Sequence, residues 1–208
     1  MRKKIPTIVL VFLIAFLQLP LHSDAWTTVT DNYDYGYDTK MGGTWNEFDY
    51  SKETGNIEIV EDQFIGTSKC HIKIGEKITT PDWGGDNWRL KIKVKYRRSY
   101  AVWASWLNSV RIVIKVELHD SSHGIDWEST LFSKTTTSYG EDVTELAARN
   151  PYDILPEGTT YYIVYHLYLE FNGWSYMHKN AGSTYDTARF DLMYFKYEFT
   201  NVQYNPPQ

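Results

Sequence analysis

The sequence predicts an all-β domain, an antiparallel β-sandwich carrying one short helix, and three observations support that prediction. Apolar and polar side chains alternate with a period of two through run after run. Turn-forming clusters separate these runs at short intervals: "KMGGT", "KETGN", "TPDWGGDN", "DSSHG", "LPEGTT" and "FNGWS". Aromatic residues make up 16% of the chain, led by 17 Tyr and 8 Trp, and these types favour pleated, half-buried surfaces.

Along the chain, Trp26–Thr30, Trp45–Tyr50, Asn56–Phe64 and Ser68–Ile74 read as the early strands. In "NWRLKIKVKYR", Trp88, Leu90, Ile92, Val94 and Tyr96 share one face, opposite Arg89, Lys91, Lys93, Lys95 and Arg97. "VRIVIKVELH" aligns Val110, Ile112, Ile114, Val116 and Leu118 in the same way. "TTYYIVYHLYLEFN" puts Tyr161, Ile163, Tyr165, Leu167, Leu169 and Phe171 opposite Tyr162, Val164, His166, Tyr168 and Glu170. Ile125–Ser133 and Ala188–Thr200 complete the set. "GEDVTELAARNP" reads as the single helix, with acidic residues in its first turn and Asn150–Pro151 as a stop. Many short strands and one helix at these spacings suit a sandwich.

The first residues, 1–25, have the three-part layout of a secretory signal: Arg2, Lys3 and Lys4, then an apolar run from Ile8 to Leu19, then Ser23 and Ala25 as small cleavage-site residues. The apolar run is shorter than the roughly 20 residues that span a bilayer. The expected product is a secreted single domain, residues 26–208, placed outside the cell or on the exterior of its envelope, with no membrane span. Without Arg2, Lys3, Lys4 and Asp24 the net charge of −5 becomes −7. That acidity argues against a nucleic-acid partner. The lone cysteine, Cys70, lies in the alternating "SKCHIKIG" and reads as a buried, unreactive thiol.

Two sets of residues suggest chemistry. Trp83, Trp103, Trp106, Trp174 and Tyr176 fall in or beside turn segments, where a flat ring can stack on a sugar or a protein surface. The polar faces of two long strands carry Arg111, Lys115, Glu117 and His119 on one, and Tyr162, His166, Tyr168 and Glu170 on the other. If those faces share a groove, Tyr168, His166 and Glu170 would orient a carbohydrate by hydrogen bonds. The same groups suit β-elimination of uronic-acid polymers, with Arg111 neutralising the substrate carboxylate and His166 or Tyr168 moving the proton. Non-catalytic carbohydrate recognition is the leading expectation and requires no cofactor. A polysaccharide lyase, or a structural or surface-assembly protein, is the alternative. Arg89 to Arg97 form a basic ladder, read as a solvated face that pairs with acids such as Glu58 and Asp62 on a neighbouring strand.

The order of "LPEGTTYYIVYHLYLEFNG" and then "ARFDLMYFKYEFTN" resembles the late part of jelly-roll carbohydrate-binding modules and concanavalin-like sandwiches. A Gly-Thr-x-Tyr entry leads into a long strand, and Asp191 follows Phe190 in the closing one. The resemblance implies a jelly-roll architecture. It also implies a structural calcium between an N-terminal acidic segment and the last strand, recruiting Asp31 or Asp34 from "DNYDYGYDTK" together with Asp191. "YFKYEF" resembles a strand of jelly-roll alginate lyases, although the arginine-rich strand and Gln-x-His motif of that family are absent.

Overall fold

A computed structural model describes residues 26–63, 66–82, 87–105, 108–138, 140–148, 154–179, 181, 184 and 187–202. Every described regular element is a strand: β1 (Thr27–Val29), β2 (Tyr35–Met41), β3 (Thr44–Tyr50), β4 (Ile57–Gln63), β5 (Thr67–Thr79), β6 (Asn87–Ala104), β7 (Ser109–His119), β8 (Ile125–Thr136), β9 (Gly140–Ala148), β10 (Thr160–Asn172), β11 (Ser175–His178), β12 (Ala188–Arg189) and β13 (Leu192–Val202). They form two antiparallel sheets. One is five-stranded, in the order β2-β5-β10-β7-β8; the other has eight strands. From β4 to β7, and again from β8 to β11, each successive strand crosses to the other sheet, the jelly-roll habit.

Alternation explains the core. The inward residues Ile72, Ile74, Ile112, Ile114, Val116, Leu167 and Leu169 of the smaller sheet meet Leu90, Ile92, Val94, Tyr96 and Phe195 of the larger one, all at 0–1% exposure. Such side chains contribute about 1.5–3 kcal/mol each on burial. Cys70 belongs to this core, and burial raises its thiol pKa far above the ordinary value. In the larger sheet β6 is the spine. β13, β12 and β11 pair with it in succession at Asn87–Tyr96, Ser99 and Ala101–Ala104, while β9 pairs with Ile92–Tyr100.

Two expectations change here. The described part of the segment read as a helix, Gly140–Ala148, is strand β9, and no helix occurs among the described residues. Its register sets Glu145 opposite Lys95 and Asp142 opposite Arg98. Opposite charges at facing register positions favour a strand pairing, so the acids that would suit a helix start also suit this register. The basic ladder also has other neighbours than β4. Lys91 pairs with Glu198 of β13 at 3.6 Å, and the Lys93 ammonium lies 4.7 Å from the centre of the Trp26 ring.

The tyrosines of "DNYDYGYDTK" divide by position. Tyr33 is buried edge-on against Phe195, Tyr35 is half-buried, and Tyr37 is exposed. Gly55, with φ +73°, turns β3 into β4 where a Cβ would run into the Leu192 carbonyl. Its own carbonyl accepts the Leu192 amide, so the first hairpin is stitched to the last strand.

Candidate functional site

Register converts the outer face of the five-stranded sheet into rows. Thr39, His71, Tyr168, Val113 and Ser133 lie side by side across the sheet. On one side runs the row Met41, Lys69, Glu170, Arg111 and Thr135; on the other, Tyr37, Lys73, His166, Lys115 and Thr130. The two long strands do share a face, as their alternation implies. A recess of about 360 Å³ opens there, lined by Lys69, His71, Arg111, Val113, Lys115, His166 and Tyr168.

Beneath it is Glu117, 1% exposed although it points away from the core. Its Oε1 is 2.5 Å from His166 Nδ1, and its Oε2 lies 2.7 Å from His119 Nε2 and 2.9 Å from Lys73 Nζ. Burial works to raise this carboxyl, but the hydrogen bonds from His119 and His166 and the Lys73 ammonium outweigh it and hold it well below the usual range. His166 Nε2 in turn lies 2.9 Å from Nδ1 of His71, and the two rings stack with centres 5.2 Å apart. Burial, with help from His166 and Lys73, lowers the His71 pKa. The Tyr168 ring lies 4.7 Å from that of His71, and its hydroxyl donates to Glu170 at 2.8 Å. Burial and the Glu170 carboxylate push this phenol up to about 12. Lys69 and Arg111 reach the same carboxylate at 3.4 and 3.9 Å.

His71 is the functional candidate that the sequence reading passed over. Cys70 drew attention in "SKCHIKIG", yet the same alternation that buries Cys70 turns His71 outward. His166 is the middle of the chain, with both ring nitrogens engaged.

Of the loop aromatics that are described, Trp103 and Tyr176 lie on the other sheet and Trp174 in the turn that leads into it. β6 runs on to Ala104, so Trp103 sits on a strand, 59% exposed, directly opposite Tyr176 of β11. Facing side chains on an antiparallel pair stand about 5 Å apart, which makes Trp103 and Tyr176 one surface. Tyr176 stacks on His178 at 4.8 Å with planes 19° apart. Trp174, 55% exposed, follows Gly173, whose φ of +63° makes the tight β10–β11 turn. The Trp174 carbonyl accepts the Ser105 amide at 3.0 Å. Trp83 and Trp106 lie outside the described residues, as does the segment 1–25.

The acidic residues proposed for calcium have protein partners. Asp191 Oδ1 accepts from the Ile57 amide and from Arg189 Nε, both at 3.1 Å, and Arg97 lies 4.0 Å from Oδ2. Asp34 accepts the Lys77 amide at 3.1 Å, and Asp31 is exposed beside Asn32. Among the described residues no three His, Cys, Asp or Glu side chains are grouped so as to hold a metal. Asp120 of "DSSHG" forms the β7–β8 turn, accepting from the amides of Ser122 and Gly124.

No protein-family model matches the chain, and no curated protein matches it. Solved structures to which the chain is similar include that of infectious bursal disease virus, Gx strain, at 10% identity and TM-score 0.32, covering 88% of this chain and 33% of the viral one. Another is TmCBM61 in complex with β-1,4-galactotriose, at 11% identity and TM-score 0.27, covering 74% of this chain and 88% of that one. A third is the family 11 carbohydrate-binding module of Clostridium thermocellum in complex with a β-1,3-1,4-mixed-linked tetrasaccharide, at 10% identity and TM-score 0.25, covering 85% and 88%. The chain spans about a third of the first of these.

Proposed function

We propose that this chain is an exported, non-catalytic carbohydrate-recognition domain. The observation that carries this reading is the pair Trp103 and Tyr176, held side by side on two hydrogen-bonded strands with the indole largely in solvent. An exposed tryptophan on a strand does nothing for the core. It keeps an apolar face in water, which favours covering it with another apolar face. The C–H face of a pyranose is flat enough to stack there, and a ring fixed on a strand gives up little conformational freedom on binding. Trp174 and His178 extend the surface beside it.

Screening of the secreted chain on a glycan array, followed by calorimetric titration of the best ligand, tests the reading. Trp103→Ala combined with Tyr176→Ala is expected to abolish the captured signal while leaving the fold intact. Undiminished binding by that double variant, or no glycan bound at all, would refute it.

A further inference from the structure

When His166 and His71 carry one proton each, the chain of contacts from Glu117 sets which nitrogen holds it. An ionised carboxylate only accepts hydrogen bonds, so His166 Nδ1 must donate to Glu117 Oε1. Neutral His166 then has its lone pair on Nε2 and accepts from His71 Nδ1–H. Neutral His71 is left with its lone pair on Nε2, and that nitrogen has no hydrogen-bond partner among the described residues. A buried acid thus determines the tautomer of a ring that lines the recess, two imidazoles away.

Around that acceptor the recess divides its chemistry by row. Val113 and Tyr168 provide an apolar and aromatic floor next to His71. Arg111 stands on one side, more than half exposed and only loosely paired with Glu170 at 3.9 Å. Lys115 stands on the other, bound to Glu128 at 2.8 Å. A guanidinium has five N–H donors, so Arg111 can hold Glu170 and a second carboxylate together. The volume of about 360 Å³ falls at the lower end of the range for small-ligand sites.

We propose that this recess is a second ligand site, separate from the Trp103 surface, that takes a carboxylate-bearing sugar unit. The carboxylate lies against Arg111 and Lys115, a ring hydroxyl donates to His71 Nε2, and the C–H face rests on Tyr168 and Val113. Neutral sugars satisfy the acceptor and the floor but add no carboxylate to the two cations beyond Glu170 and Glu128. Simple carboxylates do the reverse. The site therefore selects a ligand that joins the two groups.

Site-resolved NMR of the whole chain tests this with three probes: an oligogalacturonate, the same oligosaccharide with its carboxyls reduced to alcohols, and acetate. The oligogalacturonate is expected to shift the imidazole ¹⁵N signals of His71 with an affinity at least tenfold above either control. Arg111→Gln, at an exposed position, is expected to weaken that response at least tenfold. Before ligand is added, the His71 Nε2 signal should be that of an unprotonated nitrogen. Equal responses to acidic and neutral probes, an Arg111→Gln variant that binds as well as the parent, or a protonated Nε2 overturns the proposal. A response confined to the Trp103 indole also overturns it, and leaves the carbohydrate reading of that surface standing.

Discussion

The two outer faces of this sandwich are built on opposite principles. On the eight-stranded sheet Trp103 stands more than half exposed, held by strand register, as does Trp174 in the turn that leads into that sheet. On the five-stranded sheet, Glu117, His119 and His166 also point away from the core, yet none exceeds 8% exposure. Their neighbours pack beside them: Lys73 bonds to Glu117, and His123 lies against both Tyr35 and Tyr162, with ring centres 5.0 and 4.7 Å away. An outward-facing strand position is therefore not the same as a wet one. The first face can lose a side chain without disturbing its surroundings. The second is a hydrogen-bonded network in which one removal strands several partners.

The largest effect expected follows from that network. Glu117→Ala removes the acceptor shared by His119, His166 and Lys73, leaving buried donors unpaired. Breaking a buried ion pair from one side costs about 3–5 kcal/mol, and denaturant titration would read it directly. Trp103→Ala should move the same midpoint by less than about 0.5 kcal/mol, as for other surface positions. Comparable losses from the two variants would erase the distinction between the faces.

In binding the ranking reverses. Truncating Trp103 and Tyr176 together is expected to cost about 2 kcal/mol or more of affinity for a captured neutral oligosaccharide, the scale of an aromatic hot spot. Calorimetry measures this, and a loss below threefold would reduce the surface to solvent-exposed decoration.

The response to pH separates the smaller sheet further. Burial depresses the folded pKa of His71 below its ordinary 6.5, and hydrogen bonding depresses Glu117 below 4.5. The unfolded chain then binds more protons than the folded one. Both contributions are present above those ordinary values and are lost as pH falls from them through the lower folded values. Glu76, on β5, has the opposite sign: burial first, and Asp34 second, raise its pKa to about 7. Its contribution is fully present below 4.5 and is lost as pH rises through about 7. Across pH, thermal unfolding should therefore lose stability as pH falls below 4.5 through Glu117 and as it rises between 4.5 and about 7 through Glu76, with His71 opposing the second loss below 6.5. Glu76→Gln is expected to flatten the second loss without altering the first, and an unchanged profile would remove Glu76 from the account.

Much of this architecture is legible as alternation. Trp88 to Tyr96, Val110 to Leu118 and Tyr161 to Phe171 show their inner faces plainly, because a period of two is a property of the chain alone. The far end of β6 is harder to read. Ser99 and Tyr100 are both buried in succession, which breaks the rhythm just before Trp103 and makes strand look like loop. β9 could not be read locally, since its acids matter only opposite the basic strand. His71 was readable by its phase with Cys70. The burial of Glu117 was not, because it depends on Lys73 and His166, 44 and 49 residues away.

The smallest effect comes from two lysines that look equivalent in sequence. Lys73 and Lys115 flank His166 in one row, and each bonds a glutamate at 2.8–2.9 Å. The Lys73–Glu117 side chains are 14% and 1% exposed, whereas those of Lys115–Glu128 are 26% and 48% exposed. Water and salt screen the second pair and hardly reach the first. Lys115→Ala should thus cost no more than about 0.5 kcal/mol, declining towards zero in high salt. Lys73→Ala should cost about 1–3 kcal/mol, because it takes a charged donor from a buried acceptor, and salt should change that little. Paired unfolding titrations at low and high ionic strength measure the contrast. Equal salt sensitivity in the two variants would mean that the pair beneath the recess is as wet as the pair at its rim.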